Sequence, residues 1–275
     1  MNSPVETIQW PTRSDAAPLA ADEIHVWAAT LAAPPEALEK YSATLSPDEK
    51  ERANKFKFEK HRNRYIAARG ALRAILGNYL RVAPVELRFV YLTNGKPALA
   101  EECGGAGIHF NLAHTEDLAL VAVTRIGMAG VDVESVRPVK NVEELVARFF
   151  SPRENDLFQK VPDPQKPAAF FNLWTRKEAL LKATGEGITR SLSLVEVSFL
   201  PGEPARLLAI SGDAEAARGW GLRELLPAKG FAAAVAVQMG TSNTEHRTPN
   251  SEGKTSNIQV GNGGGSLNVR CWRWK

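Results

Sequence analysis

Phe170-Phe171-Asn172-Leu173-Trp174-Thr175-Arg176-Lys177-Glu178-Ala179-Leu180-Leu181-Lys182-Ala183-Thr184-Gly185-Glu186-Gly187-Ile188 is the stretch from which the rest of the chain can be read. Its period is that of an amphipathic helix: Leu173 and Leu180 stand two turns apart, with Phe170, Trp174 and Leu181 near the same stripe. Glu, Ala, Leu and Lys are strong helix formers, and Gly185 and Gly187 provide a stop. Glu178 and Lys182 are four apart and share a face. Alone, such a pair is an ordinary surface contact that stabilises a helix by about 0.2–0.5 kcal/mol. The alternative is a carboxylate for a metal and an ammonium for a phosphate, which requires partners elsewhere.

Gly130-Val131-Asp132-Val133-Glu134 supplies them. Alternation puts Asp132 and Glu134 on one face of a strand and both valines on the other. Two same-face carboxylates repel unless a cation lies between them; the bland alternative is a solvated strand face. The apolar run Leu118–Val123 precedes them and reads as a hairpin partner.

In this order and spacing, the two elements resemble the Sfp-type 4′-phosphopantetheinyl transferases. That signature is a G-[VI]-D-[VI]-E strand followed by a W-x-x-K-E-A-x-x-K helix. Here they are Gly130–Glu134 and Trp174–Lys182. The resemblance spans residues 24–238. It implies an α+β protein of two similar subdomains related by a pseudo-two-fold axis, with mainly antiparallel sheets, acting as a monomer. It also implies transfer of 4′-phosphopantetheine from coenzyme A to a serine of an apo acyl or peptidyl carrier protein, with release of adenosine 3′,5′-bisphosphate. By resemblance Asp132, Glu134 and Glu178 hold Mg²⁺, for which Mn²⁺ can substitute. Asp132, Glu178 and Lys182 are the catalytic residues. Lys182 also holds phosphate.

Residues 50–73 carry nine cations against two acids. A charge run is usually a solvated helical face, but this one interrupts an otherwise neutral body. Five of the 34 cations and two of the 31 acids lie in 241–275, which leaves the rest balanced. The net charge of +3 therefore gives no global argument for nucleic acid. The resemblance assigns the coenzyme A nucleotide end to Arg64 and Arg69, with Arg62 as a further candidate and Lys55 a weaker match. Gly95-Lys96-Pro97 resembles a G-K-P element whose lysine meets the 3′-phosphate. Phe110-Asn111-Leu112-Ala113-His114-Thr115 resembles F-N-x-S-H-S, whose histidine meets the diphosphate. Ala113 and Thr115 replace its two serines.

Ser46-Pro47-Asp48-Glu49 and Ser151-Pro152-Arg153-Glu154 are matching helix starts, each a capping Ser, a first-turn Pro and a Glu to close a capping box. No internal repeat is otherwise visible. Four regions follow: a loose segment 1–22, a first half 23–129 for the nucleotide end, a second half 130–240 for metal and catalysis, and a Ser/Thr/Asn/Gly-rich tail 241–275. The tail has no core-forming pattern and is expected to be disordered. Two distant cysteines, no apolar leader segment and no long apolar run point to a cytoplasmic protein with no membrane span. Two other function classes share these residues. One is a metal-dependent phosphohydrolase or nuclease. The other is a nucleic-acid module built on residues 50–73.

Overall fold

A computed structural model of the chain describes residues 10–92, 95–103, 107–185, 192–239 and 267–275. The turn residues Thr93 and Asn94, part of the Gly-rich loop, Glu186–Ile188 and residues 241–266 of the tail lie outside them.

The first half runs β1 (Thr12–Arg13), β2 (Glu23–Thr30), α1 (Pro35–Thr44), α2 (Pro47–Asn54), α3 (Glu59–Leu80), β3 (Phe89–Tyr91), β4 (Pro97–Leu99), β5 (His109–Thr115) and β6 (Leu118–Thr124). The second runs β7 (Ala129–Ser135), α4 (Val142–Phe149), α5 (Pro152–Phe158), α6 (Lys166–Thr184), β8 (Val195–Val197), β9 (Leu207–Ile210), α7 (Ala214–Arg218), β10 (Trp220–Leu225) and β11 (Phe231–Gln238). From β2 onward the order β-α-α-α-β-β-β-β occurs twice, with α7 inserted in the second copy. One sheet has the order β1-β12-β2-β6-β5, where β12 is Asn268–Trp274; the other has β10-β11-β7. The mixed α+β architecture with mainly antiparallel pairing is as expected.

Valines of β7 and apolar residues of β2 and β6 form a shared core in which Val26, Leu120, Val131 and Val133 are buried. This overturns the hairpin expected of Leu118–Val123 and Gly130–Glu134. β6 pairs with β2 and β5, whereas β7 pairs with β11. Both runs are apolar because they face each other across the core, not because they share a ladder.

Two terminal segments also differ from expectation. Residues 267–275 are ordered: β12 lies between β1 and β2 and is parallel to both. Val269 and Cys271 face one core and Trp272 and Trp274 the other. Trp272 is 5% exposed and stacks on Trp27 at 5.0 Å. At the other end Trp10 and Ala17 are buried, and Thr12–Arg13 pairs with β12. The composition of 241–266 masks a short strand-forming segment, Asn268 to Trp274, whose Val269, Trp272 and Trp274 favour a strand.

Candidate active site

The α6 helix is buried on more than one face. Polar as well as apolar residues are buried from Ala169 to Ala183. Burial requires partners for polar groups, and most find them. Asn172 Nδ2 donates to Phe199 O at 3.2 Å, Thr175 Oγ1 to Phe171 O at 2.8 Å, and Arg176 Nη1 to Ser198 O at 2.6 Å. Lys177 Nζ donates to Glu154 Oε2 at 2.5 Å, to Leu192 O at 2.8 Å and to Val195 O. Glu178 is the exception. It is 5% exposed, and its Oε1 is buried without a hydrogen-bond partner among the described residues.

Gly130 explains how the acids reach this helix. A Cβ there would lie 2.1 Å from Ala179 O and 2.3 Å from Ala183 N. Only glycine lets β7 lie directly against the α6 backbone. Asp132 and Glu134 follow on the same strand face. Lys182 Nζ donates to Asp132 Oδ1 at 2.5 Å, while Asp132 Oδ2 is buried without a hydrogen-bond partner among the described residues. Glu134 is held differently: Thr115 Oγ1 donates to its Oε2 at 3.3 Å, and Arg137 Nη1 lies 3.9 Å away.

The electrostatics match this crowding. Burial raises the Asp132 carboxyl pKa, against the pull of Lys182. Burial, then the charge of Asp132, raises Glu134. Burial pushes Glu178 up to about 7, and Asp132 adds to the rise. Among the described residues no three His, Cys, Asp or Glu side chains form a ready-made metal set. The donor chemistry nevertheless fits a hard cation. Two unpartnered carboxylate oxygens on adjacent elements suit Mg²⁺, which takes one or two carboxylates and completes its octahedron with water and substrate phosphate.

His114 stands on β5 beside this group. Burial first, then Lys182 and Arg64, lower its pKa, so it lies between the cations of the two halves. Arg64 Nε donates to Asp117 Oδ1 at 2.8 Å. Phe56, His61, Arg64, Tyr65, His114 and Thr115 line one cleft. Arg62 is half-buried on α3, outside that lining.

The other two nucleotide candidates are engaged elsewhere. Arg69 is buried, donating to Glu49 Oε1 at 2.7 Å, with Arg73 on Glu49 Oε2 at 2.6 Å. It is an internal ion-pair residue outside that cleft lining, and with Arg73 it removes two cations from the basic surface of 50–73. Lys96 Nζ donates to Ala129 O at 3.0 Å and Ala183 O at 2.7 Å. It ties the start of β7 to the C-terminal carbonyls of α6, where a cation is favoured. Burial lowers its pKa to about 8, and one N–H remains for any other acceptor.

Asn111 is a site residue that spacing did not single out. Its buried Oδ1 accepts Val131 N–H at 2.9 Å. β5 and β7 belong to different sheets, so this side chain stitches the two halves immediately before Asp132. Its signal was the asparagine within an apolar strand.

Residues 128–236 match the family model described as the 4′-phosphopantetheinyl transferase superfamily, and residues 30–125 match the one described as 4′-phosphopantetheinyl transferase, N-terminal. The chain is 46% identical over 219 residues to 4′-phosphopantetheinyl transferase HetI of Nostoc, covering 80% of this chain and 89% of that protein. It is 30% identical to 4′-phosphopantetheinyl transferase psf-1 of Bacillus pumilus, covering 57% of this chain and 64% of that one. With 4′-phosphopantetheinyl transferase Sfp of Bacillus subtilis the identity is 26%, over 58% of this chain and 68% of the relative. With the identity and coverage of the Nostoc match, the chain belongs to the 4′-phosphopantetheinyl transferase family of enzymes.

Proposed function

We propose that the protein transfers the 4′-phosphopantetheine arm of coenzyme A to a serine of an apo carrier protein, with Mg²⁺ as its metal. The observation that carries this reading is the pair of buried, unpartnered oxygens, Asp132 Oδ2 and Glu178 Oε1, beside the Lys182 ammonium. Uncompensated buried carboxylates are costly, and a diphosphate–cation complex is the ligand chemistry that supplies what they lack. Asp132 and Glu178 would hold the metal, with Glu134 as a third carboxylate steadied by Thr115. Bound Mg²⁺ would neutralise the diphosphate and align it for in-line displacement.

The chain's own residues do the rest. Lys182 offers its remaining N–H groups to the phosphate that bears the pantetheine arm. His114 and Arg64 hold the nucleotide side of the diphosphate, so that remote binding positions the reacting phosphorus. We assign to Glu178 also the acceptance of the proton of the attacking serine. The serine oxygen forms the new P–O bond as the bond to adenosine 3′,5′-bisphosphate breaks. Arg64 and His114 come from the first half and Asp132 and Glu178 from the second, so one chain supplies the whole site and the reading takes it as a monomer.

The test is mass spectrometry of an apo carrier protein incubated with the enzyme, coenzyme A and Mg²⁺. A phosphopantetheine mass gain on the carrier serine is expected, and its loss in EDTA. No mass gain on either an acyl or a peptidyl carrier would refute the reading, and hydrolysis of coenzyme A without transfer would favour the phosphohydrolase alternative.

A further inference from the structure

Residues 55–58, between α2 and α3, are exposed and include two aromatic rings. Phe58 is 61% exposed, the most exposed of the large apolar side chains among the described residues, and Phe56 is 36% exposed. Phe56 packs on Tyr65 at 5.4 Å and lines the cleft of Arg64 and His114. Phe58 meets the His61 ring edge-on at 6.0 Å, with the Lys57 ammonium 5.8 Å from its own ring.

Two features argue that this exposure is selected for something other than stability. Phe58 is the N-cap of α3, the longest helix, and provides no side-chain cap bond. Ser, Thr, Asp or Asn would each stabilise that position. An exposed phenyl ring also adds nothing to a site that only binds phosphate. The surrounding charge is mixed rather than uniformly positive. Lys50, Arg52, Lys55, Lys57 and Lys60 are interleaved with Glu51 and Glu59, and Lys55 pairs with Glu51 at 2.7 Å. A polyanion would meet these acids unfavourably, whereas a folded acidic protein surface with an apolar side chain at its centre complements both the ring and the net positive rim.

We propose that Phe58 and Lys57 form the docking knob for the carrier protein, with the ring as apolar anchor and the lysines as acidic-surface contacts. This rests on the transferase reading and specifies where its protein substrate sits: on the α2–α3 side of the cleft, next to the nucleotide end.

Phe58→Ser tests it in the full-length chain because the substitution adds a helix cap and should fold at least as well. The probe is whichever apo carrier, acyl or peptidyl, the wild type modifies faster. KM for that carrier should rise about 5- to 30-fold, as for an interface anchor, while kcat at saturating carrier, coenzyme A affinity by calorimetry and melting temperature stay at or above wild type. Lys57→Glu should raise the same KM and flatten its salt dependence. An unchanged carrier KM in both variants overturns the proposal. So does a parallel loss of coenzyme A affinity, which would make the ring a base-stacking platform, and so does loss of binding to a single-stranded oligonucleotide with carrier binding intact. Carrier binding is also read directly by fluorescence anisotropy without turnover. A wild type that binds the carrier through Phe58 but transfers nothing would uphold the docking surface and reject the transferase reading.

Discussion

The two halves of this protein attach their long helices by the same device and use them for different ends. In each, a Ser-Pro-x-Glu turn starts a short helix, and its glutamate accepts the N–H of the capping serine. Ser46 N donates to Glu49 at 3.0 Å, and Ser151 N to Glu154 at 3.0 Å. Each glutamate is then buried under the following long helix and receives its cations. Glu49 takes Arg69 and Arg73 of α3, and Glu154 takes Lys177 of α6. The strand beneath differs. β2 sets Trp27 into one apolar cluster with Leu72, Ile75 and Leu76 of α3. β7 sets Gly130, Asp132 and Glu134 against α6. The first half has completed its core, while the second keeps two carboxylate oxygens, Asp132 Oδ2 and Glu178 Oε1, without hydrogen-bond partners among the described residues. A repeated scaffold thus isolates the functional difference to one strand face and one helix turn.

Breaking the shared device should have the largest effect. Glu49→Gln or Glu154→Gln leaves buried cations uncompensated, which costs about 3–5 kcal/mol. Chemical denaturation should show both losses, and equal stability to wild type in either variant would remove that glutamate from the scaffold. A loss of similar size, about 3–5 kcal/mol, is expected for Trp272→Ala, since a buried Trp stacked on Trp27 becomes a cavity. An unchanged melting curve would restore the disordered-tail expectation.

Glu178→Gln should separate the halves most sharply. Transfer activity should fall about 10²–10³-fold, through loss of a charge that stabilises the transition state, yet the fold should gain stability. The sign follows from the raised pKa. The folded state holds the Glu178 proton up to about pH 7, whereas the unfolded carboxyl releases it near pH 4.3. Its unfavourable contribution therefore develops between those values and is complete above 7. In EDTA the glutamine variant should be more stable than wild type at pH 8 and nearly equal at pH 5. A gain at pH 5 equal to that at pH 8 would contradict buried-charge repulsion.

The smallest effect sharpens the same contrast. Thr115→Val removes one 3.3 Å hydrogen bond to Glu134, typically worth about 0.5–1.5 kcal/mol. Activity should drop no more than about tenfold, with the Mg²⁺ requirement shifted upward and the melting temperature nearly unchanged. A loss as large as that of Glu178→Gln would make Glu134 an equal partner in the metal set.

Much of this was legible in the chain. The helix across 170–184, the strand of Asp132 and Glu134 and both Ser-Pro-x-Glu starts are local patterns. Periodicity, capping chemistry and glycine placement depend on neighbours in sequence, so the residues alone determined them. So did the family, because its signature is carried by short spacings within two elements. Tertiary structure alone decided which charges face the cleft. Arg64 and Arg69 are five apart on one helix, yet Arg64 lines the cleft and Arg69 is consumed by Glu49, twenty residues earlier. Lys96 and Lys177 look like solvated lysines in sequence, but distant backbone carbonyls claim them. The same holds for β12, whose seven residues form a strand only because β2 offers an open edge and Trp27 a face to stack on. A side chain's partner is set by long-range packing, which in this protein left one carboxylate oxygen of Asp132 and one of Glu178 without a hydrogen-bond partner among the described residues.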